Sequence, residues 1–488
     1  MREDPAKAVG WWLRDALALE SADATPVPLV AEEGAFDVAV VGGGYTGLWT
    51  AWWLRQRQPG ARIVIIEQGI CGGGPSGRNG GFVHGWWDQL PYLVERFGPE
   101  PALHMARLVD DGVGGIGEWC HEYGVDAWYR HGGYMRVSAS TAQDGEWHPA
   151  VQTCAALGVP EQYRELSPAE VQARCASPTM RGGALMANGA TIQPARLARG
   201  LRQALLEAGV TIRERTRATR LRAGAPVLLD TTSGAIRAEQ VVLAMNAWAA
   251  GWSEFSTTLL AWGSHIVLTE PVPGRLAELG WTGGEAIADS RFTVHYFRTT
   301  PDGRIAFGAG VGAAGFGGRV DGRYDSDPRA EGRAQAALRR FFPSLADVGL
   351  ADAWGGPIDI SPDRLPMIGS RHGGRVHFAH GFSGNGVGPA HFAGRVLAAL
   401  VDEPAGELAK LPLINRRVRR FPPEPIRFAG VRLVREALVR RDEAEDAGRR
   451  PSAAVRIMAF IPRLLGYRLG SGPLSEASLE IPAVAADD

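Results

Sequence analysis

Lysine is almost missing from this chain. Of 52 lysine and arginine side chains only Lys7 and Lys410 are lysines, so the interior offers no amine for a Schiff base and none for a phosphate-cradling P-loop. That argues against pyridoxal enzymes, P-loop NTPases and protein kinases. Cysteine is scarce too. Cys71, Cys120, Cys154 and Cys175 show no CxxC and no paired ligand spacing, which argues against structural zinc, iron-sulfur clusters and a dithiol centre; no metal is expected. No apolar run approaches the roughly 18 residues of a membrane helix. Met1-Arg2-Glu3-Asp4 lacks the basic-then-apolar layout of a secretory signal. A reduced, cytoplasmic protein beginning near Met1 is the expectation, without membrane insertion. Net charge is also lacking: a formal −1 gives no pull toward nucleic acid.

What is present is length, core and glycine. At 488 residues with 45% hydrophobic content the chain predicts two intertwined domains, or two plus a tail. The 64 glycines gather in clusters such as Gly42-Gly43-Gly44 and Gly72-Gly73-Gly74, where backbone turns sharply or approaches something closely. Phe36 to Val41 reads as a strand, Leu48 to Gln56 as a helix and Arg62 to Ile66 as a second strand ending at Glu67. Between them Gly42, Gly44 and Gly47, with Tyr45 and Thr46 among them, have the spacing of a dinucleotide fingerprint in its strand-turn-helix-strand setting. Gly42 permits the turn, Gly44 lets pyrophosphate reach the main chain, and Gly47 lets helix and strand pack. The helix N-terminus offers free N–H groups to the phosphates. Glu67, with Gln68 beside it, would hold the ribose hydroxyls. The fingerprint alone does not decide between FAD and NAD.

The same sheet is expected to resume downstream. Pro194 opens a helix to Glu207 with Gly209 just beyond, followed by strands Val210 to Arg215 and Ala238 to Met245, which bring Ala218 and Asn246 toward the nucleotide. Later, Val376 to His380 reads as a strand, Gly381 to Gly388 as a glycine-rich turn and Pro389 to Leu400 as a helix. The predicted fold class is mixed α/β and α+β. A discontinuous Rossmann-like nucleotide domain (34–90, 186–254 and 346–405) carries an inserted mixed-sheet substrate domain (91–185 and 255–345) and a helical C-terminal extension (406–488). In that extension Val431 to Glu445 is a charged helix and Ala453 to Leu469 a basic amphipathic stretch broken by Pro462. Packing of this stretch on its own domain or a subunit partner is preferred over membrane-surface contact.

At Ser76-Gly77-Arg78-Asn79-Gly80-Gly81 the sequence resembles the FAD-dependent D-amino acid oxidase, glycine oxidase and sarcosine oxidase superfamily. It looks closest to the branch of gamma-glutamylputrescine oxidases. Val241 to Ala244 with Asn246-Ala247-Trp248, Trp354-Gly355-Gly356 with Asp363, Pro366 to Gly369, and the turn Gly381 to Gly388 carry the same likeness. The resemblance implies FAD, with the fingerprint at the adenosine end and the late turn (Gly381, Gly384, Asn385, Gly386 and Val387) at the isoalloxazine. The N–H groups of Gly384, Asn385 and Gly386 would stabilise negative charge on the reduced ring. No cysteine lies between Trp354 and Asp363, so the flavin is expected to be noncovalent. The lysine that activates dioxygen in sarcosine oxidases has no counterpart in Arg304 to Gly308.

Substrate-side candidates are Trp354, His265 and Tyr296, with His84, Trp86, Trp87 and His295 as further wall residues. Each also has a plain packing reading. Asp359 and Asp363 read as turn formers, and Arg78 as a partner for pyrophosphate or a loop cap. The expected reaction is oxidation of the C–N bond of a small amine by hydride transfer to flavin, with hydrolysis of the imine and O2 as acceptor. The alternative is a dehydrogenase passing electrons to a quinone or carrier and acting on an amino acid or hydroxy acid. The segment Trp354 to Ile360 holds no arginine, so an amine without an alpha-carboxylate is expected, unless Arg291, Arg298 or Arg304 anchors one. A homo-oligomer is compatible with all of this.

Overall fold

Two eight-stranded sheets divide the chain, which a computed structural model describes over residues 10–20 and 35–468. The first has the order Met367–Arg371, Val376–His380, Gly234–Leu243, Phe36–Val41, Ile63–Ile66, Thr211–Arg213. All neighbours are parallel except the antiparallel edge strand Met367–Arg371. Phe36–Val41 and Ile63–Ile66 are nearly unbroken apolar runs because both faces of a parallel sheet are covered. An antiparallel hairpin, Ala218–Arg222 with Val227–Thr231, hangs on Gly234–Leu243.

Two helices follow two of these parallel strands and pack against each other. Tyr45–Arg57 leaves Phe36–Val41, and Val387–Asp402 leaves Val376–His380. Gly394 permits their contact, since a Cβ there would stand 2.6 Å from Trp49 Cβ. The Trp49 ring meets His391 edge-on at 4.7 Å. Both helices therefore start at the carboxyl edge of one parallel sheet, where open α/β folds bind ligands. The late helix begins at Val387, two residues before the expected proline. Pro389 fits the first turn, where its missing N–H has no intrahelical acceptor.

The second sheet runs Leu350–Ile360, Leu260–Thr269, Ile305–Ala309, His295–Thr299, Ala286–Asp289, Tyr134–Val137, Gly183–Met186, Arg164–Leu166. The expected assignment of 346–405 wholly to the nucleotide domain is corrected here. Leu350–Ile360 pairs along its length with Leu260–Thr269, a non-local partnership that local pattern does not reveal. An N-terminal helix, Trp11–Ala18, not expected from the sequence, docks on both units. Arg14 pairs with Asp352 at 2.7 Å and Asp15 with Arg196 at 2.8 Å.

At the other end, Ile426–Asp446 and Ala453–Leu464 are helices. The second passes through Pro462 rather than breaking there and ends two residues later, so the proline falls in the final turn. The remainder of the expected stretch, at Leu469, lies outside the described residues, as do 469–488 of the extension and residue 34. The longer helix is fastened to the second sheet by ions. Asp446 pairs with Arg291 and with Arg340, the latter at 3.0 Å, and Asp442 accepts from the Thr293 amide at 2.8 Å.

Candidate cofactor and active site

The fingerprint turn is set by steric demands that only glycine meets. Gly42 has φ +115 and a Cβ there would lie 2.3 Å from the Ala244 carbonyl oxygen. A Cβ on Gly47 would lie 1.9 Å from the Gly42 carbonyl oxygen. At Gly44 the nearest atom is Ser76 Oγ at 2.9 Å, so this glycine keeps the helix entrance open. Ser76 Oγ accepts the first helical amide, Tyr45 N–H, at 2.8 Å. Tyr45 donates its hydroxyl to the Pro194 carbonyl at 2.7 Å, and burial pushes that phenol far up. Thr46 is buried in the same turn.

Glu67 closes the turn from below. Its carboxylate accepts Gly43 N–H and Gly69 N–H, each at 2.7 Å. Burial raises its pKa despite those donors. Gln68 is exposed next to it. Asn246 sits in the left-handed region at φ +46 at the end of Gly234–Leu243 and caps the following turn by accepting Ala247 N–H. The hairpin strand holding Ala218 reaches the same corner, where Thr216 N–H binds the Glu67 carbonyl.

The Ser76–Gly81 segment is a self-braced loop. Asn79 donates to the carbonyls of Pro75 and Ser76 and accepts Gly81 N–H at 2.7 Å. Arg78 binds the Gly73 carbonyl at 2.8 Å and Asp325, so its charge is already partnered. A Cβ on Gly77 would reach the Gly72 carbonyl oxygen at 2.2 Å, and Gly80 has the Tyr296 ring 3.0 Å from its Cβ position.

One face of the second sheet lies over this loop. Register places Tyr296 beside Gly308, Gly308 beside Ile266, and Ile266 beside Trp354. Because strand side chains alternate, Ser264, Tyr296, Arg298, Trp354, Gly356 and Ile358 share that face. Tyr296 shares a hydrogen bond with Ser264 at 2.7 Å and is pushed up to about 12 by burial. His265 and His295 stand on the opposite face and do not join the site. His265 lies against Gly312 and Gly355, and His295 binds Asp289 at 2.8 Å within the ionic fastening of the C-terminal helix. Trp354 is corrected from an aromatic wall to a brace. It is fully buried, donates Nε1–H to the Arg78 carbonyl at 2.9 Å and meets Trp12 edge-on. Trp86 and Trp87 are likewise core residues, Trp86 lying edge-on to Phe392.

The late turn closes the other end. Gly381 (φ +83) and Gly384 (φ +93) take conformations that side chains resist. The amides of Gly384, Gly386 and Val387 have no acceptor among the described residues. Asn385 is the exception: its N–H turns inward to the Phe382 carbonyl at 3.1 Å and is removed from the expected set of anion donors. Asp359 is more than a turn former. Buried beneath the turn, it accepts Gly381 N–H at 2.5 Å and Phe382 N–H at 3.2 Å, and burial raises it to about 7. It stands on the sheet face opposite Trp354 and Ile358, away from the side that lies over the Ser76–Gly81 loop.

The sequence reading missed two arginines. Arg364, between Asp363 and Pro366, holds φ +62, a backbone state costing an L-residue roughly 1–2 kcal/mol. It donates to the Ser383 carbonyl at 3.1 Å and is lowered to about 10 by burial and then by the positive charge of Arg136, against the raising effect of the Asp88 carboxylate. Arg136 donates to the Tyr134 hydroxyl at 3.3 Å, and that ring stacks on His84 at 4.1 Å, with the His84 carbonyl against Gly388. Both arginines keep part of their surface. The signal available was a basic residue in a tight turn where glycine is the easier choice. The three expected anchors are spent elsewhere: Arg298 on the carbonyls of Gly80 and Ile192, Arg291 on Asp446, Arg304 on Asp302.

Two helix N-termini at one edge of a parallel sheet, glycines that a Cβ would obstruct, and an acid under the first turn fit a dinucleotide, and define the site of a dinucleotide-dependent oxidoreductase. A family profile described as FAD dependent oxidoreductase (DAO) matches residues 37–400, and the chain belongs to that family. It is 28% identical over 379 residues to Gamma-glutamylputrescine oxidoreductase of Escherichia coli (strain K12), covering 77% of this chain and 86% of that one. It is 30% identical over 403 residues to Probable oxidoreductase OrdL of Rhizobium meliloti (strain 1021), covering 81% and 89%. The solved glycine oxidase from Geobacillus kaustophilus superposes with a TM-score of 0.65 at 21% identity, over 79% of this chain and all of that one. The cofactor is FAD, and the chain falls in the gamma-glutamylputrescine oxidoreductase-like branch.

Proposed function

We propose that the protein oxidises an amine that carries an anionic group apart from the reacting carbon, and that Arg364 and Arg136 hold that group. The carrying observation is the Arg364 side chain, kept at a strained backbone position beside the late turn, donating to the Ser383 carbonyl and sharing one buried carboxylate, Asp88, with a second cation, Arg136. Two guanidiniums against the single carboxylate of Asp88 leave a positive excess that favours a second anion, and the planar guanidinium forks onto a carboxylate. A gamma-glutamylated polyamine, the compound class named for the Escherichia coli relative, meets both requirements.

Each part of the chain has a role in this reading. The Gly42–Gly47 turn and Glu67 hold the adenosine diphosphate end of FAD, which when bound supplies the hydride acceptor. Gly384, Gly386 and Val387 N–H groups stabilise negative charge at the other end. Tyr296, fixed by Ser264, shields the Ser76–Gly81 loop from water. No general base is required, because binding the neutral amine and orienting its C–H is positioning catalysis. Oxidase turnover to O2 remains the preferred acceptor reading; reduced enzyme that stays bleached in air would replace it with a quinone or carrier.

The test is Arg364→Gly, which keeps the φ +62 turn at lower strain while removing the cation. With a gamma-glutamylated diamine KM should rise 10- to 1000-fold with kcat less affected, and with the plain diamine KM should stay unchanged. Equal effects on both amines would contradict the assignment.

A further inference from the structure

The helix Ala453–Leu464 presents an apolar face to solvent. Ala453, Ile457, Phe460 and Leu464 recur at helical spacing on its open side, and Leu465 follows them. Ile457 and Leu464 are 66% and 71% exposed, against the usual burial of such side chains. Of the ten large exposed hydrophobics among the described residues, four lie in 457–465, so the feature is concentrated rather than scattered. The opposite side, with Ala459 and Pro462 buried, already fastens the helix to the body of the protein.

The charge along this stretch has one sign, and the acid beside its start is Glu443 on the preceding helix. Residues 447–468 contain five arginines and no acid, and Arg449, Arg450, Arg456 and Arg463 are exposed. Arg419, also exposed, donates to the Leu465 carbonyl and adds a further cation at the end of the stripe. A second copy of the chain fits this face poorly, because a two-fold pairing would bring arginine against arginine, Arg456 against Arg463 with the helices antiparallel or each against itself with them parallel. No described helix is long and apolar enough to cross a membrane. Exposed isoleucine, phenylalanine and leucine flanked by arginine is the composition of a helix lying in the plane of a lipid interface.

We propose that Ala453–Leu464 docks the protein onto an anionic lipid surface, with Ile457, Phe460, Leu464 and Leu465 entering the interface and the arginines meeting lipid phosphate. The buried side packs on the chain itself, as the sequence suggested, and docking by the open side is added to that. It is independent of the substrate reading.

The experiment is co-sedimentation of the full-length flavoprotein with vesicles of phosphatidylglycerol or of phosphatidylcholine, at low and high salt, with light scattering alongside. The wild type should bind phosphatidylglycerol at least 10-fold better than phosphatidylcholine and be released by salt. Ile457→Ser with Phe460→Ser, and separately Arg456→Gln with Arg463→Gln, should each weaken binding at least 10-fold while flavin colour and amine-dependent bleaching are unchanged. Wild type left in the supernatant, variants that bind equally well, or an apolar-face variant that changes the oligomeric state instead of vesicle binding would each overturn the proposal.

Discussion

Gly44 shows how much a single missing side chain can decide. Its Cβ position is 2.9 Å from Ser76 Oγ, and the space above it is what pyrophosphate needs to reach the helix amides. Gly44→Val should therefore purify without flavin colour. Gly60→Val, whose Cβ meets nothing within 4 Å, should stay yellow. Visible spectra of the two variants after identical purification check this. Residues of this kind are readable from sequence because their role is backbone geometry, which glycine spacing reports directly. Side-chain direction is not reported. Trp354 and Tyr296 stand on the same sheet face, yet one braces a loop from inside the core and the other lies over that loop. Arg364 was passed over because Asp363 and Pro366 alone explain a turn, and only the positive φ marks it as unusual.

At the scale of the element, the late turn depends on Asp359. Burial places its folded pKa at about 7, above the unfolded value of about 3.9. The folded state then binds a proton between those two values, so the contribution to stability is fullest below about pH 4 and is lost as pH rises through about 7. The lost amount is up to about 4 kcal/mol, three pKa units at about 1.4 kcal/mol each. Asp359→Asn does not titrate, so the melting temperature of wild type relative to this variant should fall from pH 4 to pH 8. A constant difference would show that Asp359 stays ionised throughout. Element limits were legible where punctuation is strong. The helix Pro194–Glu207 has proline at its first position and Gly209 after its end, and both limits match the sequence reading. The strand Val376–His380 also matches. Leu350–Ile360 was placed in the wrong sheet because its motif borders the flavin loop while its hydrogen bonds go to a strand some 90 residues earlier.

Across the whole molecule, the C-terminal extension and the second sheet are joined by buried ions rather than by an apolar seam alone. Asp446 serves both Arg291 and Arg340. Asp446→Ala leaves two guanidiniums without their shared carboxylate, and breaking such a buried pairing costs several kcal/mol. Arg340 is partly exposed and Arg291 retains Asp289 at 3.7 Å, so the expected loss is about 2–3 kcal/mol at neutral pH. Thermal unfolding should show that loss while flavin content is retained. Loss of flavin without a lower melting temperature would tie the extension to the cofactor instead.

Two helix N-termini at one sheet edge hold FAD over a site proposed to oxidise amines. Anaerobic titration of the purified protein tests it most directly, following the visible flavin band against gamma-glutamylated diamines, plain diamines, glycine and NADPH. The account predicts bleaching by an amine, fastest with the gamma-glutamylated compound, and none by NADPH alone. A band that bleaches with NADPH and with none of the amines, or faster with glycine than with any amine lacking an alpha-carboxylate at its reacting carbon, would contradict it.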